Sequence, residues 1–182
     1  MLTIQSFITN PIEENCYVVS DETKQACIID CGCFSEESWD NIKQYITKQK
    51  LTPVKLLHTH SHFDHVMGDV MVLRDYHLLP ELETLQHGGV IRFGNSTFTV
   101  IATPGHTQDG VCFYSKAGDV VFVGDTLFYG SVGRTDLPGG NVGQLISMIN
   151  NRLMTLPEKT IVYCGHGEKT TIGREKRFNP FL

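Results

Sequence analysis

The sequence has few of the features that mark membrane, secreted or nucleic-acid-binding proteins. No apolar run approaches the roughly 20 residues of a membrane-spanning helix. The first basic residue is Lys24, so the N-terminal stretch lacks the positively charged region of a signal peptide. Lysine and arginine number 15 against 20 aspartate and glutamate residues, so there is no excess of positive charge for binding phosphates. We therefore expect a cytoplasmic protein that has neither a membrane nor a nucleic acid as its partner.

Several common catalytic motifs are also absent from the sequence. It contains no G-x-S-x-G nucleophile elbow and no Walker A loop, which disfavours a serine hydrolase of that type and a P-loop nucleotide-binding protein. It also contains no G-x-G-x-x-G dinucleotide fingerprint and no C-x-x-C redox motif. Any chemistry has to come from a different set of side chains.

The six cysteines are expected to be reduced thiols. A cytoplasmic chain stays in a compartment that keeps thiols reduced, and a chain of 182 residues can bury enough apolar surface to fold without disulfides. Those within apolar, strand-like runs, where cysteine acts as a small hydrophobic residue, are Cys16, Cys27, Cys112 and Cys164. Cys31 and Cys33 could bind a soft metal as a C-x-C pair, but no second thiol pair lies at a zinc-ribbon spacing. We interpret DCGC as a turn after a strand.

The apolar pattern alternates between strands and helices along a single predicted domain, residues 1–182. NCYVVSD, QACIIDCG and TPVKLLHTH are predicted strands because they are rich in β-branched residues and end at Gly, Asp or polar clusters. Between the last two, Trp39, Ile42 and Ile46 recur at helical spacing behind a Ser35 cap.

The second half of the chain repeats this order after a predicted helix that follows His65. Its predicted strands are GGVIRFG, STFTVIATPG, GVCFYSKAGDVVFVGD with a hairpin turn at residues 116–119, and TIVYCGHG. Its predicted helix carries Val142, Leu145, Ile149 and Leu153. The two halves look like duplicated units, which is typical of an α/β domain built from two similar parts.

Four of the eight histidines lie in one stretch, HTHSHFDHVMGD, residues 58–69. KLL precedes His60 by two residues, TVIATPG precedes His106, VVFVG precedes Asp125 and TIVYCG precedes His166. If the predicted strands lie side by side, their ends deliver these groups to one sheet edge, where ligand sites commonly lie. A solvated polar loop or scattered structural histidines would not show this arrangement.

The spacing of these residues indicates a site for two metal ions. In an extended H-x-H segment both side chains point to the same side, so His60 and His62 can bind one ion together. The predicted ligands of the first ion are His60, His62 and His106. Those of the second ion, reached after the chain turns, are Asp64, His65 and His166. Asp125 has two oxygens with which to bridge the ions. Imidazoles and carboxylates without thiolates suit zinc, iron or manganese.

These motifs resemble the signature of the metallo-β-lactamase superfamily. THSHFDH matches H-x-H-x-D-H, and TPGHT, GDTLF, GRTDLPGG and CGHG follow in that family's order. The resemblance runs from Ile4 to the terminal NPFL and is closest to small, single-domain glyoxalase II-like (hydroxyacylglutathione hydrolase-like) hydrolases. It implies an α/β fold of the αββα type, a four-layer sandwich of two packed mixed sheets flanked by helices, with no added C-terminal helical domain. The ligands that it implies are His60, His62, His106 and Asp125 for the first metal, and Asp64, His65, Asp125 and His166 for the second.

The resemblance also implies a function. We expect a dinuclear metal-dependent hydrolase, a thioesterase that cleaves acyl-glutathione or a related small-molecule acyl thioester. Its cofactors would be two divalent ions, zinc being preferred, with iron or manganese also compatible. Two such ions, roughly 3.5 to 4 Å apart, generate a hydroxide nucleophile from bound water. Asp64 is the candidate catalytic residue, because its carboxylate can steer the hydroxide or relay its proton.

Two alternatives stay open at this point. Persulfide dioxygenases share H-x-H-x-D-H, TPGHT and GRTD, but they use one iron held by the first-site residues and consume oxygen. A metal hydrolase that acts on another ester, a lactone or an amide would also carry these ligands. A β-lactamase is disfavoured because the signal peptide is absent and because many dizinc lactamases have cysteine where this chain has Asp125.

Arg134 in GRTD is the candidate substrate-binding residue. Glyoxalase II enzymes carry a cationic side chain here, commonly lysine, that helps to bind glutathione. The alternative is an ion pair between Arg134 and Asp136 that only fixes the loop. Glutathione-contacting tyrosines of the family are replaced by Glu168 and Asp136, and residues 76–89 are shorter than the segment that relatives have there. His58 is expected to support the metal ligands and not to bind metal itself.

Overall fold

The structure is a computed structural model that describes residues 1–82 and 85–182; the short stretch 76–89 is thus partly outside the described residues. The described strands are β1 Thr3–Ile8, β2 Asn15–Ser20, β3 Gln25–Ile29, β4 Thr52–Leu57, β5 Val90–Phe93, β6 Ser96–Ala102, β7 Val111–Ser115, β8 Val120–Gly124, β9 Leu127–Phe128, β10 Ser131–Val132, β11 Ile161–Cys164 and β12 Thr170–Thr171. The described helices are α1 Glu36–Gln49, α2 Phe63–Val66, α3 Asp69–Tyr76, α4 Val142–Met148, the π-helix Ile149–Leu153 and α5 Ile172–Phe178.

The strands form two large sheets and one small hairpin. The first sheet has the order β1-β2-β3-β4, in which β3 and β4 are parallel and the other pairs are antiparallel. The second has the order β12-β11-β8-β7-β6-β5, in which only the β8 and β11 pair is parallel among the described strands. β9 and β10 pair with each other. Both large sheets are therefore mixed, as predicted.

Three apolar clusters separate four layers. The central cluster joins the inner faces of the two sheets and includes Val19, Ile29, Leu57, Phe98, Phe113 and Phe122. A second cluster packs Trp39 of α1 onto the outer face of the first sheet. A third packs Leu145 of α4 onto the outer face of the second sheet. Neighbouring strand residues point to opposite faces, so Cys27 belongs to the central cluster and Ile28 to an outer one. The predicted αββα sandwich is confirmed.

Helix α1 forms where the sequence predicted it. Ser35 caps its N-terminus by accepting a hydrogen bond from the Ser38 N–H, and the Ser38 side chain accepts in return from the Ser35 N–H. Trp39, Ile42 and Ile46 form its buried stripe. The helix ends at Gln49, and the C-cap residue Lys50 adopts the left-handed conformation. Local sequence therefore determines this helix.

Two other local predictions have mixed outcomes. KAGD forms the predicted turn, since β7 and β8 pair in antiparallel register on either side of it. The predicted helix from Val142 is divided into α4 and the π-helix. Leu145, Ile149 and Leu153 are buried as the pattern indicated, but Val142, the first residue of α4, is exposed. All six cysteines are buried free thiols, and no helix among the described residues is long and apolar enough to span a membrane.

The strand ends that carry the predicted ligands meet at one edge of the sandwich. β6, β8 and β11 run in the same direction, because β6 and β8 are both antiparallel to β7 and β11 is parallel to β8. β4 belongs to the other sheet, so the edge is shared by two sheets and is not the edge of one. The sheets are joined there by Tyr17, whose hydroxyl donates to the Cys164 carbonyl at 2.5 Å, and by Asn15, whose amide donates to the same carbonyl.

Candidate metal centre

Three imidazole nitrogens converge at one end of this edge. His62 Nδ1 lies 3.2 Å from His60 Nε2 and 2.9 Å from His106 Nε2. His60 and His62 follow β4 of the first sheet, and His106 follows β6 of the second. Three nitrogens directed at one point form the kind of site that binds a first-row divalent metal.

A second group of ligand atoms adjoins the first. Asp64 Oδ2 lies 3.2 Å from His166 Nε2 and 3.4 Å from His65 Nε2. Asp64 and His65 lie on α2, which begins at Phe63, so the helix expected after His65 in fact starts before it. The chain changes from extended at His62 to helical at Phe63. Asp64 and His65 therefore point away from the position where the side chains of His60 and His62 converge.

Asp125 lies between the two groups. Its Oδ2 is 3.6 Å from His106 Nε2 and 3.7 Å from His166 Nε2, and its Oδ1 is 3.4 Å from His65 Nε2. A Cβ atom at Gly165 would lie 2.3 Å from Asp125 Oδ1, so only glycine lets the end of β11 pass this close. The structure thus brings all seven predicted ligands together.

Among the buried atoms that lack a hydrogen-bond partner in the described residues, two lie 3.4 Å apart in this cluster. They are His65 Nε2 and Asp125 Oδ1. A buried polar atom without a partner is unfavourable by roughly 1–3 kcal/mol, and a divalent cation between these two atoms would satisfy both. Neutral imidazoles and carboxylates suit zinc, iron or manganese. The residues therefore fit bound divalent ions.

The electrostatics of the cluster favour positive charge. Burial alone would raise the pKa of Asp125, but the close contact with His65 and the charge of that histidine hold this pKa well below its ordinary value. Burial opposes protonation of His65, yet the carboxylates of Asp30 and Asp125 raise its pKa. Burial, followed by the charge of His65, lowers the pKa of His60 to about 3, so His60 is a neutral imidazole with a free lone pair at neutral pH. Cations are the natural complement of this set.

Asp30 contacts His65 directly and His60 through the Thr59 hydroxyl, and the sequence interpretation missed it. It accepts the Thr59 hydroxyl hydrogen at 2.7 Å and lies 3.1 Å from His65 Nδ1. Since the Thr59 hydroxyl donates to Asp30, it accepts from His60 Nδ1 at 3.1 Å, which leaves the lone pair on His60 Nε2. Asp30 follows β3 directly, so the strand-end pattern that identified the other residues could have identified it.

The outer histidines are oriented by backbone carbonyls. His106 Nδ1 donates to the Arg134 carbonyl at 2.7 Å, and His166 Nδ1 donates to the Ile12 carbonyl at 3.0 Å. Both bonds leave Nε2 free to bind a metal ion. Neither carbonyl could be recognised from the sequence, because every residue type has a backbone carbonyl that can accept a hydrogen bond.

Glu14 is a further buried group that the sequence did not indicate. Its side chain accepts from the Thr9 hydroxyl, and its Oε1 lies 4.0 Å from His65 Nδ1. Burial raises the pKa of Glu14 to about 9, so the free cluster holds it as a neutral acid at pH 7. Nothing in the loop sequence IEEN distinguishes Glu14 from an exposed acidic residue.

An open cavity of about 510 Å³ lies over the cluster. The ligand residues in its surface are His62, Asp64, His106, Asp125 and His166. The other residues around it are Ile12, Phe63, Phe128, Ser131, Val132, Arg134 and Leu137. A second cavity of similar volume lies between β1 and the residues after His166, and none of the seven ligands lines it. The first cavity is the one that gives access to the candidate centre.

Arg134 and His58 have defined contacts. Arg134 donates from Nε and Nη2 to the two carboxylate oxygens of Asp136, at 2.8 and 2.7 Å, so the ion pair considered from the sequence is present. Both side chains are exposed, and exposed ion pairs are weak, so a substrate carboxylate could compete with Asp136.

His58 Nε2 lies 2.9 Å from Asp69 Oδ1 of α3, and His58 belongs to none of the ligand groups.

The hairpin of β9 and β10, which carries Phe128 and Val132, is held by the C-terminal helix. Glu175 Oε2 accepts from the Gly130 N–H at 2.9 Å, and Asn179 donates to the Ser131 carbonyl at 3.0 Å. Glu175 is fully buried and also accepts from Arg174. This wall of the cavity is therefore fixed by contacts from α5.

Comparison with known proteins gives matches along most of the chain. The family model described as metallo-beta-lactamase superfamily matches residues 9–80 and 71–166. Probable metallo-hydrolase YqgX of Bacillus subtilis is 36% identical, with 94% of this chain and 93% of that protein covered. Hydroxyacylglutathione hydrolase GloC of Haemophilus influenzae is 32% identical, with 100% of this chain and 98% of that protein covered.

Solved structures with the same fold include three that cover nearly all of this chain. BLEG-1 B3 metallo-beta-lactamase has a TM-score of 0.89 and 33% identity, with 99% of each chain covered. ETHE1 from Myxococcus xanthus has a TM-score of 0.88 and 32% identity, with 98% of this chain and 83% of that chain covered. TTHA1623 in a di-iron-bound form has a TM-score of 0.85 and 33% identity, with 98% of this chain and 100% of that chain covered.

Proposed function

Because the chain belongs to the metallo-beta-lactamase superfamily, we propose that this metal-dependent hydrolase cleaves acyl-glutathione or a related acyl thioester. The observation that carries the proposal is the pair of adjoining ligand groups with Asp125 between them under an open cavity. The similarity to a protein named hydroxyacylglutathione hydrolase supports the choice of thioester.

We assign the ligands as two sets that share one carboxylate. The first ion would be held by His60, His62, His106 and Asp125. The second would be held by Asp64, His65, Asp125 and His166. Zinc is the preferred ion because the donors are nitrogen and oxygen only, and iron or manganese would also fit them. TTHA1623, a structural relative, has been solved in a di-iron-bound form.

When bound, divalent ions supply Lewis acidity and a water molecule acidified toward neutral pH. The residues of the chain position these ions and move protons. Hydrolysis forms a C–O bond at the thioester carbonyl and breaks the C–S bond, giving a carboxylic acid and a thiol. We assign Asp64 to accept a proton from the attacking water and to return it to the departing thiolate, because its carboxylate lies in the cavity surface.

Persulfide dioxygenases share H-x-H-x-D-H, so activity, and not the ligand residues, distinguishes a thioesterase from a dioxygenase. A screen tests this choice. We expect the zinc-loaded protein to release free thiol from a 2-hydroxyacyl-glutathione, measured with a thiol reagent. The iron-loaded protein should show no oxygen uptake with glutathione persulfide. Oxygen uptake with the persulfide, together with no thiol release from the thioester, would identify the dioxygenase, and hydrolysis confined to an oxygen ester, lactone or amide would reassign the substrate.

Arg134→Ala is expected to raise KM for an acyl-glutathione by roughly tenfold or more, with a smaller effect on kcat. Arg134 lines the cavity, and its guanidinium, which pairs with Asp136, could exchange that partner for a substrate carboxylate. Steady-state kinetics and metal content measured on the same preparation check this expectation.

The control for Arg134→Ala is a neutral thioester without carboxylates, for which KM should hardly change. Equal losses on both substrates would show that Arg134 only braces its loop against Asp136. A lower melting temperature with KM unchanged would lead to the same conclusion, and glutathione would then be rejected as the carrier.

A further inference from the structure

We infer that Glu175, on the C-terminal helix α5, is a positioning residue that determines where Phe128 and Ser131 lie in the wall of the substrate cavity. Glu175 does not line the cavity itself and belongs to none of the ligand groups. It acts through the hairpin of β9 and β10, residues 127–132, which carries that part of the wall. The inference rests on the proposed function only in the choice of substrate for its kinetic test.

The hairpin has little stability of its own. Each of its strands has two residues, which pair as Leu127 with Val132 and Phe128 with Ser131. A two-stranded hairpin is marginally stable at best in water unless it packs against other elements. Leu127 is buried in the third apolar cluster and anchors the base of the hairpin. The position of the turn, and with it that of the wall, depends on contacts from elsewhere.

The turn of the hairpin is held by the carboxylate of Glu175. Its Oε2 accepts from the Gly130 N–H at 2.9 Å and from the side-chain amide of Asn179 at 2.9 Å. Asn179 directly follows α5, and the same amide donates to the Ser131 carbonyl at 3.0 Å. One buried carboxylate and its neighbour therefore bind two successive backbone positions of the turn.

The second oxygen of Glu175 connects a further part of the turn to α5. Its Oε1 accepts from the Thr170 hydroxyl at 2.6 Å and from Arg174 Nη1 at 2.7 Å. The guanidinium carbon of Arg174 also lies 3.5 Å from the centre of the Tyr129 ring, which is a cation–π contact with the turn. Glu175 thus orients the cation that packs on the hairpin.

This arrangement requires a carboxylate at position 175. Glu175 is fully buried, and each of the partners described above donates a hydrogen bond to it. Burial alone would raise the pKa of Glu175, but these hydrogen bonds hold it below its ordinary value. Replacing a buried ion pair by apolar side chains of similar volume is often neutral or stabilising, so packing alone does not account for a charge here. The donors of the hairpin turn do account for it.

The hairpin also connects two residues of the candidate metal centre. It begins two residues after Asp125 and ends two residues before Arg134, whose carbonyl accepts from His106 Nδ1. A Cβ atom at Gly133 would overlap the Asp125 carbonyl oxygen, so the two ends of the hairpin are packed closely together. The base of the hairpin is therefore fixed at the metal centre. Loss of the Glu175 carboxylate should move the wall and leave the ligands in place.

Glu175→Gln tests the inference, because the amide places an N–H donor where the carboxylate accepts hydrogen bonds. Hydrogen exchange of the hairpin, measured by mass spectrometry without substrate, should accelerate roughly tenfold or more, while β8 and β11 keep their protection. The variant should retain the metal content of the unmodified protein. Its KM for a 2-hydroxyacyl-glutathione should rise roughly five- to tenfold, with kcat changed by less than about threefold.

Glu158→Gln is the matched control. Glu158 accepts from Arg177 of the same helix at 2.9 Å, both side chains are exposed, and Glu158 does not line the cavity. This identical chemical change should leave hairpin exchange, metal content and KM unaltered, because exposed ion pairs contribute little. Asn179→Ala, which removes the amide donated to the Ser131 carbonyl, is a milder variant that keeps the test valid if Glu175→Gln does not fold. It should show the same effects at a smaller size.

A double-mutant cycle shows whether Glu175 acts through the wall. Phe128→Ala removes the ring that Glu175 would position. The double variant should therefore have nearly the same KM as Phe128→Ala alone, because the two residues would act as one unit. A residue that only stabilised the fold would lower the melting temperature without this coupling in KM.

Three results would overturn the inference. They are unchanged hairpin exchange in Glu175→Gln, a loss of protection spread over the whole protein with KM unchanged, and additive KM effects in the cycle. Loss of metal from Glu175→Gln would also overturn it, because Glu175 would then act on Asp125 and not on the wall. Failure to cleave thioesters would overturn the proposed function alone. The exchange measurement needs no substrate, and the kinetic measurements would use the ester, lactone or amide that the screen identifies.

Discussion

Asp125→Ala is expected to lower the metal content at both sites and to reduce turnover by several orders of magnitude. Asp125 faces both ligand groups, with Oδ2 beside His106 and His166 and Oδ1 beside His65. Its loss removes a ligand from each ion and leaves the water-activating site incomplete. Elemental analysis of the purified variant, together with kcat on the best thioester, measures both effects.

His58→Ala is the matched control for this substitution. His58 lies two residues before the H-x-H pair, but its ring contacts Asp69 and none of the ligands, so the loss should be at most roughly 10- to 100-fold. Melting temperatures of the two metal-free variants show whether either substitution unfolds the protein. If His58→Ala removes as much metal and activity as Asp125→Ala, the ligand assignment is wrong.

Removal of metal is expected to abolish hydrolysis and to lower the melting temperature. The cluster holds buried carboxylates and unsatisfied buried atoms, His65 Nε2 among them, which a divalent cation would neutralise and satisfy. The protein as purified should carry close to two metal equivalents, and a strong chelator should remove them. Because an ion that binds only the folded state stabilises it, the melting temperature should fall even when no substrate is present.

The control for metal removal is readdition of zinc to the chelated protein, which should restore both activity and melting temperature. One equivalent of iron with oxygen uptake on a persulfide would contradict the dinuclear hydrolase and support the dioxygenase. Full activity after verified removal of metal would exclude a metal-supplied nucleophile altogether.

The sequence identified the side chains that meet at this centre because their signals are local. His60, His106, Asp125 and His166 each follow a strand whose apolar composition is readable within about seven residues, and the structure brings these strand ends together. The cap and buried stripe of α1 could be predicted for the same reason, since Ser35 and Trp39 lie within one turn of each other.

The sequence placed the strands less well. The strand-end pattern by itself predicted one sheet edge, and only the family resemblance implied two packed sheets; β4 lies in one sheet and β6, β8 and β11 lie in the other. The contact that joins the sheets beside the site, from the Tyr17 hydroxyl to the Cys164 carbonyl, spans 147 positions of the chain. No local sequence pattern reveals a contact between segments so far apart in the chain, because each segment could pack equally well against other apolar strands.

Tertiary structure alone decided the surroundings of the ligands. Asp30 and Glu14 look like ordinary acidic residues in the sequence. Burial beside His65 brings Asp30 into contact with the histidine cluster and makes Glu14 a neutral acid. The cavity wall likewise unites Ile12 with Phe128, which no local pattern connects. Residue type and strand position determined which groups could bind metal, because those properties are carried by short segments. Which side chains orient them and which surface a substrate meets depend on the packing of two sheets, and that packing exists only in the folded chain.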